Sequence, residues 1–204
     1  MKLRLHPILA PFFLVLMITG GLAFYSIVFI SLLFHEAGHV VAAKMSGVKV
    51  RSCTIMPYGG ELRIPNRYSY GKRQRVFVAI GGPIATSILL LLPILFNFPG
   101  DEQFLRIQLV ILSLNLLPIL PLDGGQAISA TLETEEKKFE VRAAYLVFSI
   151  VVLIVASLLL ILELPETVLF LALALFLLFQ NISAFKFRKY EQAYERLKRK
   201  QLTP

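Results

Sequence analysis

Phe34-His35-Glu36-Ala37-Gly38-His39-Val40 lies inside an apolar run, and how that run is read decides the architecture. From Leu22 to Val41 the only ionisable side chains besides Tyr25 are His35, Glu36 and His39. A run of this length can cross a bilayer as a helix, where titratable groups are costly and mark function. Helical residues four apart share nearly one face, so His35 and His39 can turn two imidazole nitrogens toward one Zn²⁺. Glu36, between them, is the residue type that takes the proton of a water activated by such a metal. Two satisfied core histidines are the plainer alternative, but in lipid this trio has few ways to be neutralised without a cation.

The rest of the chain has the same character. Of its 204 residues, 56% are hydrophobic and 17% charged, with a mean hydropathy of +0.71. A soluble domain is expected to carry roughly 25% charged residues, so the recurring uncharged runs point to a polytopic membrane protein. The single cysteine, Cys53, excludes an intramolecular disulfide and a cysteine-based zinc site, and is read as a plain half-buried thiol. A net charge of +8 could suggest nucleic acid, but the basic residues flank apolar spans, so no nucleic-acid partner is expected.

Residues 5–45 are too long for one span, since about 40 residues make a helix of about 60 Å against a bilayer core of about 30 Å. Gly20-Gly21 is the natural break. The first span is read from Leu5 to Thr19, in preference to a cleaved leader because no soluble secreted domain follows, and the second from Leu22 to Met45. Residues 46–75 are not a span. Gly47 to Ile55 partly alternates apolar with polar, Pro57-Tyr58-Gly59-Gly60 makes a turn and Glu61 to Ile64 returns, which predicts a β-hairpin. Arg67, Lys72, Arg73 and Arg75 form a basic patch. Four more spans are predicted: Val76–Phe98, interrupted at Gly81-Gly82-Pro83; Phe104–Leu122; Ala143–Leu162; and Thr167 to about Phe185. Gly124 to Arg142 is a charged, partly helical connection. The fold class is therefore all-α and polytopic, with six transmembrane helices and a small membrane-associated hairpin after the second. Residues 1–185 form the membrane domain and 186–204 a basic cytoplasmic tail that continues span six along anionic headgroups. With the N-terminus inside, 20 of the 21 Lys and Arg residues fall on the inner side, and Asp101, Glu102, Glu163 and Glu166 fall on the outer turns. Both termini of this cell-membrane protein are thus expected in the cytoplasm.

Spans two and four run in the same direction, and the inner end of span four reads Asn115-Leu116-Leu117-Pro118-Ile119-Leu120-Pro121-Leu122-Asp123-Gly124-Gly125. Two prolines three apart break a regular helix, so an unwound segment is expected at the depth of the histidines. Asp123 is the only carboxylate between Glu102 and Glu133, and it is well placed to be a third zinc ligand; the alternative is a helix N-cap. His6, outside the motif, is read as an interfacial residue.

His35-Glu36-Ala37-Gly38-His39, together with Asn115…Pro118…Pro121-Leu122-Asp123-Gly124-Gly125, resembles the site-2 proteases, a family of intramembrane zinc metalloproteases. His6-Pro7, Met56-Pro57-Tyr58-Gly59-Gly60 and Gly81-Gly82-Pro83 extend the likeness over most of residues 5–185, nearest to the subgroup that processes pro-sigma factors in sporulation. The resemblance implies one zinc held by His35, His39 and Asp123, Glu36 as catalytic base and Asn115 beside the substrate or oxyanion. Asn115 as an ordinary interhelical amide is the alternative. The hairpin, with Pro57, Tyr58, Gly59 and Gly60 as candidate substrate contacts, can offer a strand edge to an unwound substrate, or it is a plain connector.

The implied activity is cleavage of membrane-embedded or membrane-tethered regulators near the cytoplasmic face, with inhibitory membrane proteins as further partners. The rival is a non-catalytic scaffold of the same fold that binds membrane segments. A metal permease is disfavoured because no other span carries a polar relay. A peptidase with a soluble catalytic domain is excluded by length. No PDZ-like insertion separates the motifs, and only the short tail follows span six, where the sporulation relative adds a nucleotide-sensing domain. Such a domain is either naturally absent or removed, so pro-sigma specificity and nucleotide control are not carried by the resemblance.

Overall fold

The computed structural model describes residues 2–202 apart from Pro57, Tyr58, Asn66, Glu135 and Glu136, and the chain divides into two compact units, 1–117 and 118–204. In the first unit the order is β1 (Lys2–Leu5), α1 (Leu9–Thr19), α2 (Leu22–Met45), β2 (Ser52–Met56), β3 (Gly59–Arg63), a 3-10 turn (Arg67–Ser69), α3 (Lys72–Leu95) and α4 (Asp101–Leu116). The second unit holds α5 (Asp123–Leu132), α6 (Lys138–Leu162) and α7 (Val168–Leu202).

Four helices among the described residues are long and apolar enough to cross a membrane: α2, α3, α6 and the Val168–Tyr190 part of α7. Helix α1, with 11 residues, and α4, with 16, fall short of the about 20 residues a span needs. Four such helices, carrying many outward-facing Leu, Ile, Val and Phe side chains, are the mark of a membrane protein. Helix α7 is 35 residues long, about 52 Å at 1.5 Å per residue. It therefore extends well past a 30 Å core, and the basic tail is helical rather than loose.

The hairpin forms as β2 antiparallel to β3, with Thr54 opposite Glu61. Unforeseen was β1: Lys2–Leu5 pairs parallel to β2, so the strand order is β1-β2-β3 and the first helix begins only at Leu9. Lys2-Leu3-Arg4-Leu5 alternates polar with apolar, but four residues running straight into an apolar run are too few to be read as a strand, and the edge of β2 makes them one. Gly20 ends α1 at φ +76°, a left-handed conformation that glycine takes without a Cβ clash.

Helix α3 departs from expectation in the opposite sense: it runs unbroken through Gly81-Gly82-Pro83. Pro83 removes one ladder bond, but the glycines bring α2 and α3 into backbone contact. A Cβ on Gly38 of α2 would overlap the Gly81 carbonyl oxygen and lie 2.6 Å from Ala85 Cβ; one on Gly81 would lie 2.6 Å from Ala42 Cβ. Dispersion across this close seam offsets the proline's cost. We expect Gly38→Ala to destabilise the first unit by about 1–3 kcal/mol through overpacking, read as a lowered thermal midpoint in detergent; an unchanged midpoint would mean that the seam yields freely.

At the end of the seam Ala43, Val48 and Val78 make a small core backed by Val50, Ile64 and Tyr70. Gln74 of α3 donates to the Ser46 carbonyl at 2.8 Å, tying the start of α3 to the end of α2. Helix α4 is held to α2 by a fully buried pair, Gln108 Nε2 donating to Ser31 Oγ at 2.6 Å. In the second unit, Ile119 packs with Leu153 of α6 and with Ala174 and Leu177 of α7, so the segment before α5 is seated on the α6–α7 hairpin.

Candidate metal centre

Ser31, His35 and His39 follow at four-residue intervals along one face of α2, and all three are buried. That face meets α3 at Gly82, where there is room for imidazoles only because position 82 has no side chain: a Cβ there would overlap Nε2 of both histidines. The two Nε2 atoms are 3.2 Å apart, with the rings crossed at 81°.

The far side of each ring is anchored on α3. His39 Nδ1 lies 2.7 Å from the Val78 carbonyl oxygen and 3.2 Å from the Gly82 nitrogen. The carbonyl can only accept, so the shorter contact assigns the proton to Nδ1 and leaves Nε2 as a bare lone pair. His35 Nδ1 is 2.8 Å from the Thr86 hydroxyl, itself fully buried. A donor set of this kind fits zinc. Two ligands at about 2.0–2.1 Å in a tetrahedral shell stand about 3.3 Å apart, close to the separation seen.

Glu36 follows His35 on α2 and is half-buried. The sheet covers it. A Cβ on Gly60 of β3 would come 2.9 Å from Glu36 Cγ, so this strand passes with its bare backbone against the carboxylate's stem. Cys53 of β2 is buried rather than half-exposed, and burial first, then the negative charge of Glu36, pushes its thiol pKa up. Strand β3 has β2 as its only strand partner among the described residues, and Glu36 lies against the face of β3 at Gly60. Gly59 and Gly60 lie on β3, whereas Pro57 and Tyr58 lie outside the described residues.

Asn115 stands in the last turn of α4, half-buried, with Nδ2 donating to its own helix at the Ile111 carbonyl, 2.9 Å away. Asp123 belongs to the second unit. It is buried and opens α5 as the first helical residue, behind Leu122 in the capping position, and no side chain caps the turn. The N-cap reading of Asp123 is therefore not the one adopted by the chain. The anchoring roles of Thr86, Val78 and Gly82 were not read from the sequence. A threonine within an apolar span was the available signal for the first, and a backbone carbonyl leaves none.

Known proteins resemble this chain in sequence and in fold. The profile of Peptidase family M50 matches residues 23–100, which contain both histidines, Glu36, the sheet's hairpin and α3. Stage IV sporulation protein FB of Bacillus subtilis is 27% identical over 135 residues, covering 63% of this chain and 46% of its own. A zinc metalloprotease of Methanocaldococcus jannaschii is 31% identical over 117 residues, covering 53% of this chain and 34% of its own. The chain thus spans less than half the length of these curated relatives. The solved site-2 protease from Methanocaldococcus jannaschii shares the fold, with a TM-score of 0.64 and 22% identity over 90% of each chain.

Proposed function

We propose that this chain is a member of peptidase family M50, whose model its residues 23–100 match, and that it is an intramembrane zinc endopeptidase that cleaves membrane-embedded or membrane-tethered regulatory proteins near the cytoplasmic face. The observation that carries the reading is the imidazole pair, with Nε2 atoms 3.2 Å apart over Gly82 and the proton of His39 held on Nδ1 by Val78. His35 and His39 supply two nitrogen ligands. Asp123 is the third, the carboxylate that the unwound Pro118–Pro121 segment delivers. Two neutral imidazoles and one carboxylate leave a fourth position open, the pattern of a catalytic rather than a structural site. With Glu36 ionised, the formal charges of the ion and the two carboxylates cancel, which lowers the cost of burial in lipid.

When bound, zinc polarises the scissile carbonyl and acidifies a water. The remaining work falls to the chain. Glu36 accepts the water's proton on its carboxylate and returns it to the departing amine nitrogen. Asn115 has one amide hydrogen engaged by Ile111, leaving a second hydrogen and Oδ1 to orient the peptide or its oxyanion. A helical substrate hides its carbonyls in its own ladder, so it must be extended before cleavage. The outer edge of β3 is where such a segment adds as a strand, with Gly59 and Gly60 allowing close approach and the Glu36 stem packed against the face of the same strand at Gly60.

The finer topology belongs to the same proposal. Six spans, with α1 and α4 completing the crossing alongside their flanking apolar residues, put both termini in the cytoplasm by the distribution of Lys and Arg. Similarity to a sporulation protein supports a pro-sigma-type regulator as substrate and restraint by membrane proteins. Zinc per chain, measured on detergent-purified protein, tests the assignment. About one zinc in wild type and a large loss in Asp123→Ala are expected. Wild type that stays metal-free after zinc is added back would favour the non-catalytic scaffold.

A further inference from the structure

Residues 118–122 of the second unit are unwound backbone in an apolar setting, where each unmet carbonyl or N–H is expensive. Their hydrogen bonds can be followed one by one. The Pro118 carbonyl accepts from the Tyr145 hydroxyl at 3.0 Å. The Ile119 carbonyl accepts from Leu122 N–H at 3.0 Å, and the Leu122 carbonyl from Gln126 N–H at 2.9 Å. The Pro121 carbonyl accepts from the Gln126 side chain. At Leu120 both groups are held from outside the loop: its N–H donates to Ser149 Oγ at 3.1 Å, and its carbonyl accepts from Asn181 Nδ2.

These outside partners are themselves fixed. Ser149 Oγ donates to the Tyr145 carbonyl at 3.0 Å, so its lone pair is aimed at Leu120. The second Asn181 hydrogen goes to the Leu177 carbonyl of its own helix at 2.9 Å. Ser149 and Asn181 are among the largest fully buried side chains in the protein. Asn181 Oδ1 is buried without a hydrogen-bond partner among the described residues, a cost leucine would avoid, so the amide's use lies on its donor side. From the opposite side Gly125 closes on the loop: a Cβ there would lie 2.7 Å from the Leu120 nitrogen and overlap the Ile119 carbonyl.

We propose that Tyr145, Ser149 and Asn181 are positioning residues, a polar clamp from α6 and α7 that fixes the Pro118–Leu122 backbone and thereby sets Asp123 for metal binding. The clamp grips at Leu120, three residues before Asp123, and leaves the intervening chain little freedom because Pro121 has a fixed φ and Leu122 is bonded at both ends. The inference rests on the reading of Asp123 as a zinc ligand. It extends that reading to two helices that carry no ligand themselves.

The test uses the full chain in detergent, stripped of metal and titrated with zinc against a chromophoric chelator. Ser149→Ala and Asn181→Leu are expected to weaken zinc binding about 10–100-fold, as loss of outer-shell support does elsewhere. Ser149→Thr keeps the hydroxyl and should restore wild-type affinity. In the metal-free proteins, amide exchange over 118–123 should quicken in the first two variants and return to normal in Ser149→Thr, a metal-independent readout. Asp123→Ala separates the two ideas. If it keeps wild-type affinity, the ligand assignment fails and the exchange data alone judge the clamp. If it loses zinc while Ser149→Ala and Asn181→Leu bind as wild type, the clamp is overturned. Should those two fail to fold, Tyr145→Phe, which loses one hydroxyl, takes their place, and wild-type affinity there overturns the proposal.

Discussion

Replacing Glu36 by glutamine is expected to cut hydrolysis of quenched apolar peptides about 10²–10⁴-fold, the usual weight of a positioned general base, with zinc content and thermal midpoint unchanged. The amide nearly matches the carboxylate in shape, so the strand passing at Gly60 keeps its seat. His35 and His39 keep their anchors on Thr86 and Val78, neither of which involves position 36. What disappears is a group able to accept a proton. A variant that cleaves at a tenth of the wild-type rate or more would remove Glu36 from the reaction. A variant that loses its zinc would show that position 36 acts through the metal site and not as the base.

Gly82→Ala should have an effect of similar size for a steric reason. The new methyl group would lie 2.7 Å from Cε1 of His35 and overlap Nε2 of both imidazoles. It cannot swing away, because a Cβ has no torsion of its own and α3 is held against α2 along the Gly38–Gly81 seam. Either the rings leave their anchors or the helices part, and in both cases the close pairing of the two imidazoles is lost. A fall in zinc affinity of about 100-fold or more is expected, measured by chelator competition and accompanied by retained far-ultraviolet helicity. Folded protein with wild-type affinity would mean that the rings are not confined by α3 as their contacts indicate.

Much of this protein could be read along the chain because the reasons are local. A four-residue spacing places His35 and His39 on one helical face whatever surrounds them. Long uncharged runs, the Gly20-Gly21 break and the 52–63 hairpin likewise follow from hydropathy, glycine's conformational range and alternation. The same reasoning failed where a partner element changes the cost. Gly81-Gly82-Pro83 looks like an interruption to any rule that considers one helix at a time, yet α3 continues because α2 packs into the groove those residues create. Lys2–Leu5 alternates over only four residues, too few to be legible beside an apolar run, and becomes β1 because β2 presents an edge.

The sequence by itself determined which side chains can bind a metal or move a proton, since that capacity resides in imidazole and carboxylate groups at set spacings. Only the tertiary structure decided their state. The His39 proton sits on Nδ1 because the Val78 carbonyl of another helix accepts it. Both rings face inward because position 82 is empty. The loop before Asp123 holds its shape because hydroxyl and amide groups far along the chain satisfy its backbone. Ligand identity is a property of a residue, whereas tautomer, orientation and backbone satisfaction depend on contacts between residues 27 to 61 positions apart, as the Pro118–Tyr145 and Leu120–Asn181 bonds show.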